Sequence, residues 1–99
     1  MNNNLPYWKL FTGLSGTTYQ NNELKTAIAV LVYVGLDGVN STTTILDFIG
    51  DGSAARVSNN DINGAYKTAA ITFNRSTGTI TAIAGSLLAV IAIYNLPLR

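Results

Sequence analysis

Apolar residues in this chain come in runs of about five to nine, separated by clusters of Gly, Asn, Asp and Ser, which is strand punctuation rather than helix punctuation. Pro6-Tyr7-Trp8-Lys9-Leu10-Phe11 is a short aromatic-rich segment that ends in the loop Thr12 to Gly16. Thr17 to Lys25 is polar and reads as an extended lead into Thr26 to Val34, where β-branched and aromatic residues dominate. Asp37-Gly38 is a two-residue turn signal, and Ser41 to Ile49 follows as a strand closed by Gly50-Asp51-Gly52. Ser53 to Gly64 is loop-rich, with a short strand at Ala54 to Val57 and turn chemistry at Asn59 to Asp61 and Asn63-Gly64. Tyr66 to Phe73 and Thr79 to Ala84 form a hairpin around Asn74 to Gly78, with Gly78 placed for the left-handed conformation. Leu87 to Tyr94 closes the domain, and Pro97 argues against the tail joining a central strand. Alanine and leucine also permit a helix over 82–94, but Gly85, the β-branched content and the short length favour strand. The pattern predicts an all-β fold, a small β-sandwich or jelly-roll-like domain of about 6–8 strands, with a small barrel as its relative. Residues 1–12 read as an N-terminal arm or anchor segment and 13–99 as a single β domain.

Two of these strands break the expected alternation. A strand with one core face and one solvent face alternates apolar and polar residues. In Ala27 to Val34, one face carries Ala27, Ala29, Leu31 and Tyr33, and the other Ile28, Val30, Val32 and Val34. Leu87 to Tyr94 is likewise apolar on both faces. No amphipathic helix of ten or more residues is available to cover a second face, so a subunit of the same kind is the natural cover. The expectation is a homo-oligomer with Ile28, Val30, Val32, Val34, Leu88, Val90, Ile91 and Ile93 at or near its interface. The competing reading is a monomeric barrel with an apolar outer belt. Tyr7, Trp8 and Phe11 read either as an edge strand pinning the N-terminus or as an anchor docked on a different chain.

Composition removes most catalytic readings. The 99 residues contain no cysteine and no histidine, so disulfides, thiolate metal sites and the commonest general base are out of reach. Charged residues make up 11%, against about 25% in typical domains. The six basic residues are scattered, without the stripe that tracking nucleic-acid phosphates requires. No apolar run approaches the roughly 20 residues of a membrane-spanning helix. The lead before Pro6 lacks a secretory signal, so the chain is expected to be made in a cytoplasm and kept there unless a particle carries it out. Asp47, Asp51 and Asp61, with Asn59, Asn60 and Asn63, offer oxygen ligands suited to Ca2+, but their spacing is that of turns and not of an EF-hand loop. Glu23 is the only glutamate, and nothing selects a carboxylate pair for acid–base work or a serine for nucleophilic attack. No cofactor, metal or catalytic residue is expected. Tyr7, Trp8, Tyr19, Tyr33, Tyr66 and Tyr94 pack in a core or interface, or form a sugar-stacking platform.

The Asn-rich lead before Pro6-Tyr7-Trp8, the hairpin Ile71 to Thr81 and the apolar strand Leu87 to Tyr94 together resemble small β-rich structural proteins of bacteriophage particles: head fibres, capsid decoration proteins and fibre knobs. The resemblance implies a non-enzymatic virion protein made in the host cytoplasm, a symmetric homo-oligomer with a trimer favoured. It also implies that the N-terminal segment meets other virion proteins; the scattered basic residues and short apolar runs, independently, lead to the expectation of no nucleic-acid or membrane partner. The alternative function is a carbohydrate-binding β-sandwich module that attaches to a host surface glycan.

Overall fold

β3 (Ala29–Gly35) shows how the chain resolves its doubly apolar strands: Val30, Val32 and Val34 point into the molecule and are wholly buried, while Ala29, Leu31 and Tyr33 point out. The computed structural model describes residues 4–97. Among these, eight strands form two four-stranded antiparallel sheets packed face to face. The first sheet contains β1 (Asn4–Phe11), β8 (Ser86–Pro97), β3 and β4 (Thr42–Asp47), in the order β1-β8-β3-β4. The second contains β2 (Thr18–Gln20), β7 (Thr79–Ala84), β6 (Ala65–Asn74) and β5 (Arg56–Ile62), in the order β2-β7-β6-β5. The architecture is the expected small all-β sandwich.

One core fills the space between the sheets. Phe11, the three valines of β3, Ile45, Leu87, Val90, Ala92 and Tyr94 enter from the first sheet, and Ala69, Ile71, Phe73, Ile80 and Ala82 from the second. A short 3-10 helix, Asn22–Thr26, sits between β2 and β3; Asn21 caps it by accepting from the Glu23 N–H, and Leu24 plugs the core beneath it. Two turns follow the expected chemistry. Asn63 and Gly64 both take positive φ (53° and 85°) and close β5 on β6 in the two-residue manner. Gly78, at φ 68°, closes β6 on β7; a Cβ there would overlap the Asn21 carbonyl oxygen.

Residues 82–94 are strand throughout, as the sequence favoured, with only a bend at Gly85. The structure departs from the sequence reading at three places. The supposed loop at 58–62 belongs to β5: it is a polar edge strand, with Ser58 bonded to Thr43 and the Asn60 amide donating to the Lys67 carbonyl. The tail does pair, as Asn95 to Pro97 extend β8 against β1, with Pro97 at the strand end and Pro6 on an edge strand, where a missing N–H is tolerated. Finally, residues 4–11 do not stand apart as an arm: β1 pairs with β8 along its length and Phe11 enters the core. Residues 1–3 of that segment lie outside the described residues. The molecule measures 53 × 25 × 23 Å. β8 runs past the start of β3 at one end, paired there with β1 alone, and the β5–β6 hairpin projects at the other.

Candidate interaction surface

The outward side chains of the first sheet lie in three cross-strand rows. Trp8, Ile93 and Ala29 form the first; Leu10, Ile91, Leu31 and Leu46 form the second; Ala89, Tyr33 and Thr44 form the third. None of these residues is charged, and the only side-chain polar atoms are the Trp8 indole N–H and the Tyr33 and Thr44 hydroxyls. Trp8 is 66% exposed, Leu10 and Leu46 49%, and Tyr33 43%. At the end where β3 begins and β4 finishes, Ile28, Phe48 and Ile49 continue the exposed apolar surface. The outer face of the second sheet is mixed: Thr18, Thr81 and Thr72 make one row, Gln20, Thr79 and Asn74 another, Thr68 lies beside Asn59 and Tyr66 beside Asp61, and Val57 of β5 and Ile83 of β7 stand exposed among them.

The apolar face has relief. A hollow of about 440 Å³ lies among Tyr7, Trp8, Leu31, Ile91 and Ile93. A second, of about 230 Å³, is floored by Ala89 and walled by Leu10, Leu31, Tyr33, Thr44 and Ile91. β1 ends at Phe11, so no strand residue stands beyond Leu10 in the Ala89 row. Leu31 and Ile91 line both hollows and divide them.

The residues expected at an interface divide by parity. Ile91 and Ile93 stand half-buried on the open face, Ile28 is exposed beside it, and Leu88 is exposed where the β3–β8 register shifts. Val30, Val32, Val34 and Val90 are fully buried between the chain's own sheets, so they are corrected from interface to core. The anchor set divides too. Trp8 projects from the open face; Tyr7 stacks on Tyr94, with centroids 5.1 Å apart; Phe11 is a core residue packed near Tyr19. Tyr33, one of the aromatics weighed for an interface or sugar platform, lies on this face; Leu10, Leu31 and Leu46 complete it and carry no such mark in the sequence. Their signal is alternation with the buried residues beside them, readable only once the inward parity is known.

The acidic residues are held apart by separate turns. Asp47 is buried; it accepts from the N–H groups of Ile49 and Gly50 and pairs with Arg56 at 3.5 Å. Asp51 accepts from the Ser53 N–H, which holds its carboxyl below the usual carboxylate range, and Asp61 accepts from the Gly64 N–H. Among the described residues no group of three or more acidic side chains converges to hold a metal. Tyr94 donates its hydroxyl to the Glu23 carbonyl, and burial, followed by the nearby Glu23 charge, raises its phenol above the ordinary value. No helix among the described residues is long and apolar enough to cross a membrane.

Arg75 positions one border of the face. Its guanidinium donates to the carbonyls of Ala27, Ile49, Ile28 and Phe48, at 2.7, 2.8, 3.2 and 3.3 Å, tying the β6–β7 turn to the segments that carry Ile28 and Phe48. No protein-family model, curated protein or solved structure matches this chain.

Proposed function

We propose that the chain is a non-catalytic structural protein that works by packing against protein, first of all against copies of itself, in the manner of the particle-surface proteins it resembles. The observation that carries this reading is the uncharged apolar outer face of the first sheet, from Trp8 to Leu46. Four strands about 4.8 Å apart and roughly six residues long present about 400 Å² in projection, before side-chain relief and the flanking Ile28 and Phe48 are added. That is the scale of the largest patches on monomers, which are often functional. Two such faces cover about 800 Å² before that relief is counted, against the roughly 1,200 Å² at which standard interfaces begin, which is the scale of a weak, reversible association.

A carbohydrate platform fits this face less well. Trp8 and Tyr33 supply rings, but the hollows between them offer almost no donors or acceptors for sugar hydroxyls. Sedimentation velocity at micromolar concentration tests the reading. The expected result is an oligomer that Leu31→Lys shifts toward monomer; a clean monomer at every concentration overturns it. A glycan array probed with the wild type and Trp8→Ala tests the alternative, which gains if wild-type binding is seen and is lost in the variant.

A further inference from the structure

We infer that two copies stack open face on open face, about a two-fold axis lying along the row Leu10–Ile91–Leu31–Leu46, so that Trp8 of each seats in the Ala89 hollow of the other. The inference rests on the homo-association reading above and specifies its geometry.

Three observations lead to it. First, the three rows carry no charge, so pairing this face with its own copy meets no like-charge repulsion. Second, the relief is complementary under one operation. Rotation by a half turn about the middle row leaves each strand over its counterpart and exchanges the outer rows. The Trp8 row of one copy then lies over the Ala89 row of the other. Trp8 is the most exposed large hydrophobic residue of the three rows, and the place opposite it is the corner where β1 stops, beside Leu10 and Ala89. The hollow's 230 Å³ is of the order of one large aromatic side chain. Leu31 and Ile91, on the axis, meet their own copies, as an isologous contact requires. Third, sheets stack at about 10 Å with their strands within about 30° of one another, and a half turn about a line across the strands gives that alignment.

A lipid surface is the other occupant for an apolar face, and it calls for a cationic rim to hold headgroups. Among the described residues the cations near the face are engaged: Lys9 pairs with Glu23, Arg56 with Asp47, and Arg75 with four carbonyls. A three-fold ring needs two different patches on each chain, whereas here the projection and the hollow that complement one another lie on the same face.

Trp8 is the only tryptophan, so the full chain reports on its own interface. The test follows sedimentation and tryptophan emission together from nanomolar to high micromolar concentration. The expected result is a dimer whose emission shifts to shorter wavelength as it forms. Ala89→Arg should weaken dimerisation at least about tenfold. Ala89→Phe, which fills the hollow without charge, should act in the same direction, and Thr81→Arg on the opposite face should leave the dimer intact. Circular dichroism checks that each variant folds. A monomer throughout overturns both this inference and the reading beneath it. A trimer, or a dimer with unshifted emission that tolerates both Ala89 variants, overturns the stacking while homo-association stands. A monomer that binds phosphatidylcholine vesicles overturns it in favour of a lipid surface.

Discussion

Arg75 holds four carbonyl oxygens with one guanidinium, and no other side chain among the described residues ties so many segments together. A lysine there keeps the charge but lacks the planar fork of donors. Arg75→Lys is expected to cost about 2–3 kcal/mol in urea unfolding, because several carbonyls lose charge-assisted partners together. An unchanged midpoint would show that water replaces the guanidinium without loss. Gly50 makes room for that side chain: it sits at φ 70°, and a Cβ there would press on the guanidinium at 2.8 Å. Tyr94 gives a pH-dependent case. Its phenol is raised by burial, so the native state holds its proton more tightly than the unfolded chain does. The stability this contributes is fully present below the ordinary phenol value of about 10 and is lost as pH rises through the folded value. Alkaline unfolding of Tyr94→Phe, compared with the wild type, should show a shallower decline above that point; identical slopes would count against it. From sequence, Arg75 was one residue of a hairpin loop. Its role depends on carbonyls from residues 27, 28, 48 and 49, brought to it by the packing of two sheets, and no local pattern announces such a meeting.

At the scale of the element, β3 and β8 carry the argument. Their two apolar faces are chemically alike but physically unequal: one closes on the second sheet and the other is open. Neighbouring residues should therefore respond differently. Val32→Ala removes methyl groups from a fully buried site and is expected to lower stability by about 1–3 kcal/mol. Leu31→Ser, one residue away, should leave the unfolding midpoint of a dilute sample within about 1 kcal/mol and chiefly weaken association. Paired denaturation and sedimentation measurements separate the two, and equal destabilisation by both would place Leu31 in the core. The doubly apolar character of these strands was legible in the sequence; which face turns inward was not. A one-residue change of register exchanges the faces, and Val and Ile satisfy either. Parity is fixed by tertiary partners: Phe73 and Ile80 opposite, and the bulge between Tyr33 and Val34 that lets Leu87 rejoin the core. β5 is the converse case. Its Asn-rich sequence has low strand propensity, and it becomes a strand because β6 offers a ladder and Asn63-Gly64 a matching turn.

The two outer surfaces of the molecule differ, one uncharged and apolar along its three rows and the other mixed, with threonines beside exposed Val57, Tyr66 and Ile83. That division sets the expected solution behaviour. Association through a face without charges should respond little to sodium chloride, because there is no ion pair to screen. It should strengthen in sulfate, which favours apolar burial. Sedimentation in low salt, high sodium chloride and sulfate checks both, and a steep loss of oligomer in sodium chloride would move the contact to a charged surface.

The sequence by itself determined the class of fold, the hairpin at Asn74 to Gly78, the turn at Asn63-Gly64 and the presence of more apolar strand surface than one small core needs. Each follows from local chemistry: β-branched runs, residues that tolerate positive φ, and the absence of helix-forming stretches. The tertiary structure alone decided that Val30, Val32, Val34 and Val90 are core while Trp8, Leu10, Leu31, Leu46 and Ile91 form the open face. The reason is that a strand's sequence specifies two faces, and only the position of the second sheet specifies which of them is inside.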